Sequence, residues 1–253
     1  MIASQITESI LNITINRPEK KNALTPAMYQ SMADALNSAE EQGARVVVIK
    51  GCQGIFTSGN DVTEFMQTPT EEGANEISET YQFMQALLNC PLPVIAKVEG
   101  LAIGIGTTLL LHCDFVLADK NTKFSMPFIN LGLVPEYASS FLVPRLAGQL
   151  AAAELLMLGE VFTASKALEC RLISQVCEND LQNRVDQLAK KLAAKPAEAL
   201  KQTKRLLHSE TDKVRVHIDE ELKHFVAAMQ SPPAKEAFSA FVEKRAINFD
   251  IFR

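Results

Sequence analysis

The sequence predicts an α/β fold with a helical C-terminal region, and three observations carry that prediction. Short β-branched runs alternate with helix-period stretches through about the first 180 residues. Three times a predicted strand leads into a small-residue turn and then a helix, at SGND (58–61), GIGT (104–107) and PEYASS (135–140). Beyond that point LQNRVDQLAKKLAAK, PAEALKQTKRLLHS and a stretch through 214–229 are amphipathic and rich in charge. The division expected is a core over 1–194 and a helical region over 195–253. The charged faces of the latter read as solvated surface or as packing against another subunit.

A chain of 253 residues, 47 % hydrophobic, can bury a full core. A net charge of -5, with 25 basic and 30 acidic residues, argues against a nucleic-acid surface. No apolar run approaches the roughly 20 residues of a membrane span. The N-terminus lacks a signal-peptide profile and the C-terminal IFR is not a peroxisomal signal, so the expected setting is cytoplasmic. Five scattered cysteines without CxxC spacing suggest neither a disulfide framework nor a zinc site.

In order, Leu11, Ile13 and Ile15 alternate with polar residues as in a half-buried strand, and RPEKKNAL follows as a loop. Thr25-Pro26 caps a helix whose apolar face carries Met28, Met32 and Leu36. Val46 to Ile49 is a continuous β-branched run, read as a strand covered on both sides. Asp61 and Glu64 in DVTE form a capping box, so Asp61 reads as a cap before it reads as a catalyst. The polar tract 68–76 reads as a mobile loop able to act as a lid, ahead of a helix through Tyr81 and Leu88. Further strands are expected at 94–98, 115–118, 123–126 and 172–176. Helices are expected at 105–112, 139–157 with a kink at Pro144, and 164–170.

The stretch PVIAKVEGLAIGIGTTLLLHCD organises the rest. A helix opening at a glycine turn offers unpaired amides and a positive dipole end, which suits an oxyanion, although tight strand–helix packing needs glycines too. Glu99 and Asp114 read as structural carboxylates. Glu136 follows a proline just ahead of a helix, so it is either a general base or a helix-start residue favoured by the dipole. His112 reads as a satisfied core residue, no histidine has a metal partner at ligand spacing, and Ser58, Ser139 and Ser140 lack the GxSxG elbow. One base and two amide-bearing turns suit proton abstraction beside a carbonyl.

Five tracts together, NRPEKKNAL, GIFTSGNDVTEF, KVEGLAIGIGTTLLLHCDFVLA, FSMPFINLGLVPE and FVEKRAINF, resemble the crotonase superfamily of enoyl-CoA hydratases and isomerases. The resemblance implies a spiral of ββα units, a helical C-terminal region, and homotrimers or pairs of trimers. It implies acyl-CoA thioesters as ligands, with CoA as part of the substrate and no separate cofactor or metal. By position, the oxyanion amides fall on Asn60, after Ser58-Gly59, and on Ile105, between Gly104 and Gly106. Lys21, Asn22, Ala23, Leu24, Ser58, Asp61 and Val62 resemble the CoA-holding wall, and Lys244 or Arg245 the CoA-phosphate contact.

The departures bear on the reaction. Where hydratases of this superfamily carry two glutamates, this chain has Thr108 and Phe128. Glu136, in LVPE, falls where the 3-enoyl-CoA to 2-enoyl-CoA isomerases carry their single acid/base. The resemblance therefore implies a double-bond shift, with Phe128 helping to exclude water.

Overall fold

The computed structural model describes residues 1–65 and 78–252. In chain order its elements are β1 (Ile2–Thr7), β2 (Ile10–Ile15), α1 (Pro26–Ser38), β3 (Val46–Gly51), α2 (Val62–Phe65), α3 (Glu79–Leu88), β4 (Val94–Val98) and β5 (Leu101–Ile103). Then come α4 (Ile105–Thr108), β6 (Phe115–Asp119), β7 (Lys123–Ser125), α5 (Ser139–Ala147), α6 (Gln149–Ala153), β8 (Phe162–Thr163), α7 (Ala164–Glu169) and β9 (Gln175–Cys177). Four helices close the chain: α8 (Leu181–Ala193), α9 (Ala197–Leu207), α10 (Thr211–Met229) and α11 (Pro232–Glu243).

The main sheet has the order β1-β2-β3-β4-β6-β9 and is parallel apart from the β1–β2 hairpin. On β3, Val47 and Ile49 face the main core with α1 and α3, while Val46 and Val48 face Leu181, Val185 and Ala189 of α8. Both faces are covered, which is why this strand reads as an unbroken apolar run. The second sheet, β5-β7-β8, takes the strand that follows β4 and the strand that follows β6. Each of these units thus sends one strand to each sheet before turning into a helical start. This is a crotonase-type spiral.

Two sequence expectations need correction, and one strand was missed. The strand β1 was not foreseen, because its turn residues Glu8 and Ser9 take φ of 51° and 61° without the Asn-Gly signature of a two-residue hairpin. The last strand lies at Gln175–Cys177, since Leu172 and Ile173 are buried in the preceding turn. The 139–157 helix breaks at Gly148 (φ 84°, ψ 159°), not at Pro144. Pro144 stays within α5 and its carbonyl still accepts the Gly148 amide (3.0 Å), whereas the Gly148 conformation cannot continue a helix.

The C-terminal helices are tied to the core by polar groups that their charged sequences concealed. Lys204 on α9 is buried and donates to the Leu92 carbonyl (2.8 Å) and to Asp114 Oδ2 (2.7 Å), with His208 Nε2 3.1 Å from Oδ1. Asp114 also accepts the Val94 amide (2.8 Å), the structural role expected of it. The 68–76 tract, with its lid role, lies outside the described residues, as does the Glu64 side chain of the expected capping box.

Candidate active site

The extended segment 55–58 runs beside β5. The Thr57 amide donates to the Leu101 carbonyl (2.9 Å), and the Ile103 amide donates to the Thr57 carbonyl (3.2 Å). Thr57 is thereby in register with Ala102, and Ala102 with Phe124 of β7. Asn60 lies three residues beyond Thr57, and Ile105 three residues beyond Ala102, so the two turns occupy equivalent places on neighbouring units.

Their amides are left unused by the backbone. Leu24 takes the Asp61 amide and gives its own to the Gly59 carbonyl (both 2.8 Å), which directs the Asn60 amide to the opposite side. Ile105 is the first residue of α4 and has no acceptor within the helix. Among the described residues neither amide finds a hydrogen-bond acceptor. Two glycines permit the approach: a Cβ on Gly59 (φ +90°) would sit 2.7 Å from the Ile103 carbonyl oxygen, and one on Gly106 would sit 2.5 Å from Thr57 Cγ2.

Glu136 is 4 % exposed, and its Oε1 accepts the Thr108 hydroxyl proton. Thr108 lies three residues along α4 from Ile105, so one short helix carries both an unused amide and the carboxylate's partner. Burial pushes the Glu136 carboxyl up to about 8, the Thr108 hydrogen bond opposes this, and the Glu221 charge adds to it. A carboxyl in that range is suited to take up and return a proton near neutral pH. The Tyr29 hydroxyl, also pushed up by burial and by the Glu136 charge, donates to Asn60 Oδ1 (2.5 Å) and fixes that side chain beside its amide.

The turn after Glu136 is held on several sides. Tyr137 and Ala138 both take left-handed φ, 58° and 56°. The buried Tyr137 hydroxyl donates to the Met84 carbonyl (2.9 Å), and its ring stacks on His112 at 3.7 Å. His112 Nε2 meets the Tyr137 carbonyl at 2.9 Å, and burial pushes its pKa down to about 4, so a neutral ring donates there. His112 is the satisfied core residue its surroundings suggest.

Other expected site residues are placed differently. Lys21 is exposed, whereas Asn22, Ala23 and Leu24 are buried. The Asn22 side chain is spent on the loop itself, donating to the carbonyls of Ile55 (2.6 Å) and Cys52 (3.2 Å) and accepting the Arg17 amide (2.8 Å). Its side chain thereby holds the shape of the loop. Asp61 caps α2 through the Thr63 amide (3.1 Å) and pairs with Arg17 (2.7 Å), while Ser58 and Val62 are half-buried alongside. Phe128 is buried, edge-on to Phe225 of α10 at 6.2 Å. Arg245 is held by Glu236 and Glu243, which leaves the exposed Lys244 as the cation of that pair suited to a phosphate. Among the described residues no cluster of His, Cys, Asp and Glu is placed to hold a metal.

Tyr29 and Glu221 were not singled out from sequence. Both carried a signal: Tyr29 adjoins Met28 on the buried face of α1, and Glu221 interrupts the buried stripe Val214, Ile218, Phe225 of α10 at helical spacing.

Two backbone amides without acceptors, and a buried carboxylate bonded to the helix that carries one of them, sit on a spiral of paired strands, the architecture of a crotonase-type fold. The family model Enoyl-CoA hydratase/isomerase matches residues 5–251. The chain is 32 % identical to 1,2-epoxyphenylacetyl-CoA isomerase of Escherichia coli (strain K12), over 98 % of this chain and 97 % of that protein. It is 34 % identical to Enoyl-CoA delta isomerase 2 of Rattus norvegicus, over 93 % of this chain but 62 % of the rat protein. Among solved structures, an enoyl-CoA hydratase/isomerase from Pseudoalteromonas atlantica T6c superposes with a TM-score of 0.90 at 36 % identity, over 98 % of this chain and 99 % of that one. The chain belongs to the enoyl-CoA hydratase/isomerase family of the crotonase superfamily.

Proposed function

We propose that this enzyme converts 3-enoyl-CoA to trans-2-enoyl-CoA in the oxidation of unsaturated fatty acids. The observation that carries the reading is the use of Thr108. At a position where the superfamily's hydratases place a glutamate, this chain has a hydroxyl, and that hydroxyl is spent on Glu136. Phe128 stands at the other such position and is buried among apolar side chains. One carboxylate remains to do the chemistry.

The Glu136 carboxylate takes a proton from C2, and the electrons of the broken C–H bond form the C1–C2 double bond of an enolate. The amides of Asn60 and Ile105 hold its oxygen; loss of one such donor in other enzymes costs about 2.7 to 4 kcal/mol. Glu136 then returns the proton to C4, the C3–C4 double bond moves to C2–C3, and the thioester carbonyl re-forms. The proton leaves and returns through one group, so no cofactor beyond the CoA of the substrate takes part. Exposed apolar residues at the end of α11, Phe241 and Val242, suit association into a homotrimer or a pair of trimers.

The test is the appearance of the conjugated thioester from 3-hexenoyl-CoA, with wild type and Glu136→Gln compared. A loss of a hundredfold or more in kcat, with CoA-ester binding retained, is the expected result. Equal rates in both proteins, or fast hydration of a 2-enoyl-CoA insensitive to Glu136→Gln, would replace this reading.

A further inference from the structure

Helix α5 begins without a cap of its own. Its N-cap residue is Ala138, which has no side-chain acceptor and sits in the left-handed region behind a second left-handed residue, Tyr137. Two consecutive strained residues persist only when their surroundings over-determine them. The acceptor comes from elsewhere in the chain: Glu221 of α10 is 7 % exposed, and its Oε1 accepts the Ser140 amide (2.8 Å) and the Ser140 hydroxyl. The Ser139 amide (3.1 Å) and hydroxyl (2.6 Å) bond back to the Glu136 carbonyl. The start of α5 therefore ties the main chain of Glu136 to a carboxylate 81 residues beyond Ser140 in sequence.

We propose that Glu221 is a positioning residue for Glu136, a surrogate cap on α5 that holds the left-handed turn and so sets the reach of the acid/base toward the oxyanion amides. The proposal rests on the reading of Glu136 as the proton carrier. It also assigns a task to α10: this helix from the C-terminal region completes the site by a hydrogen bond to its supporting turn.

Glu221 has a second effect on the same turn. The groups facing Glu136 are the Thr108 hydroxyl from α4, Tyr29 from α1, Tyr137 on its own turn, and Glu221 from α10. Burial keeps both tyrosines neutral and His112 is neutral as well; burial also pushes the Glu221 carboxyl up, against hydrogen bonds from Ser140, and where Glu221 is ionised its like charge strengthens the hold of Glu136 on its proton.

Two variants separate cap from charge. Glu221→Gln keeps an oxygen within reach of Ser140 and removes the charge. Glu221→Asp keeps the charge and withdraws it by one carbon–carbon bond. With 3-hexenoyl-CoA, Glu221→Asp is expected to lose tenfold or more in kcat with KM within twofold. Glu221→Gln is expected to keep its plateau kcat within about threefold, with the acid limb of kcat/KM moved to lower pH. An independent readout is the titration of the Glu136 carboxyl by carbon-13 NMR of glutamate-labelled protein, assigned with Glu136→Gln; its midpoint is expected to fall in Glu221→Gln. Wild-type kcat in Glu221→Asp together with an unchanged midpoint in Glu221→Gln overturns the proposal. If Glu221→Asp does not fold, Glu221→Ala, which removes the acceptor, takes its place, and wild-type kcat there overturns the proposal. If wild type shows no turnover, the isomerase reading fails and the NMR midpoint still decides the role of Glu221.

Discussion

Thr108 donates its hydroxyl proton to Glu136, and the two residues are drawn from different turns of the spiral, 28 positions apart. That bond favours the ionised carboxylate against the burial that disfavours it. Because a base must be deprotonated to act, kcat/KM of wild type is expected to rise with pH through a midpoint near 8. Thr108→Val removes the donor, so the midpoint moves up. A change of about one pH unit, hence about tenfold in kcat/KM at pH 7 and little at pH 10, is the expected outcome in a pH–rate profile.

Glu136→Gln tests the energetic side of the same burial. The folded carboxyl, at about 8 against an ordinary 4.5, binds its proton more tightly than the unfolded chain does. Between those values the native state holds a proton the unfolded state has lost, so stability falls as pH rises through that window. Glutamine has no charge to bury. The variant is expected to match wild type below pH 4.5 and to exceed it above pH 8, by up to about 5 kcal/mol. Denaturant melts at pH 5 and pH 8.5 read this difference; equal midpoints at both pH values would falsify it.

The glycine contacts predict a rescue. Gly106→Ala places a methyl group against Thr57 Cγ2, while Thr57→Ser removes that carbon and keeps the hydroxyl that donates to the Asn22 carbonyl (2.7 Å). The single variant is expected to lose about 1–3 kcal/mol and the double variant to recover most of it. Gly59→Ala meets backbone at Ile103 and has no such remedy; kcat should fall about a hundredfold as the Asn60 amide is displaced.

Lys204→Met leaves Asp114 buried without its main cation. Burial pushes the Asp114 carboxyl up, but hydrogen bonds from His208 and Lys204 and the Lys204 charge outweigh it, so its pKa lies below the ordinary value. The stability this contributes is present above the unfolded value and lost as pH falls through the folded one. A loss of about 3 kcal/mol at pH 7 that shrinks below pH 4 is expected from urea melts.

What the sequence made legible follows the periodicities. Val46 to Ile49, the Thr25 cap and the glycine turns at 59 and 104–106 each announce a local conformation, and the structure has them there. The proximity of Glu136 to the amide-bearing α4 is another matter, since it depends on register between units that only the folded spiral fixes. Glu221 and Lys204 were hidden for a related reason: on charge-rich helices a buried ionic residue looks like its solvated neighbours until its partner is known. Asn22 is the opposite case, a polar loop residue whose side chain turns inward to satisfy carbonyls.

The equivalent placement of Asn60 and Ile105 beyond the paired residues Thr57 and Ala102 separates two tasks chemically. The groups that would steady the negative oxygen belong to the peptide backbone, and side-chain substitution cannot delete them while the turns keep their shape. The groups that, on the proposed mechanism, choose what happens to the steadied intermediate are side chains, at 108, 128 and 136. Under the proposed mechanism, chemistry on this frame is interchangeable part by part, and a change toward addition of water is a matter of these side-chain positions on an unaltered main chain.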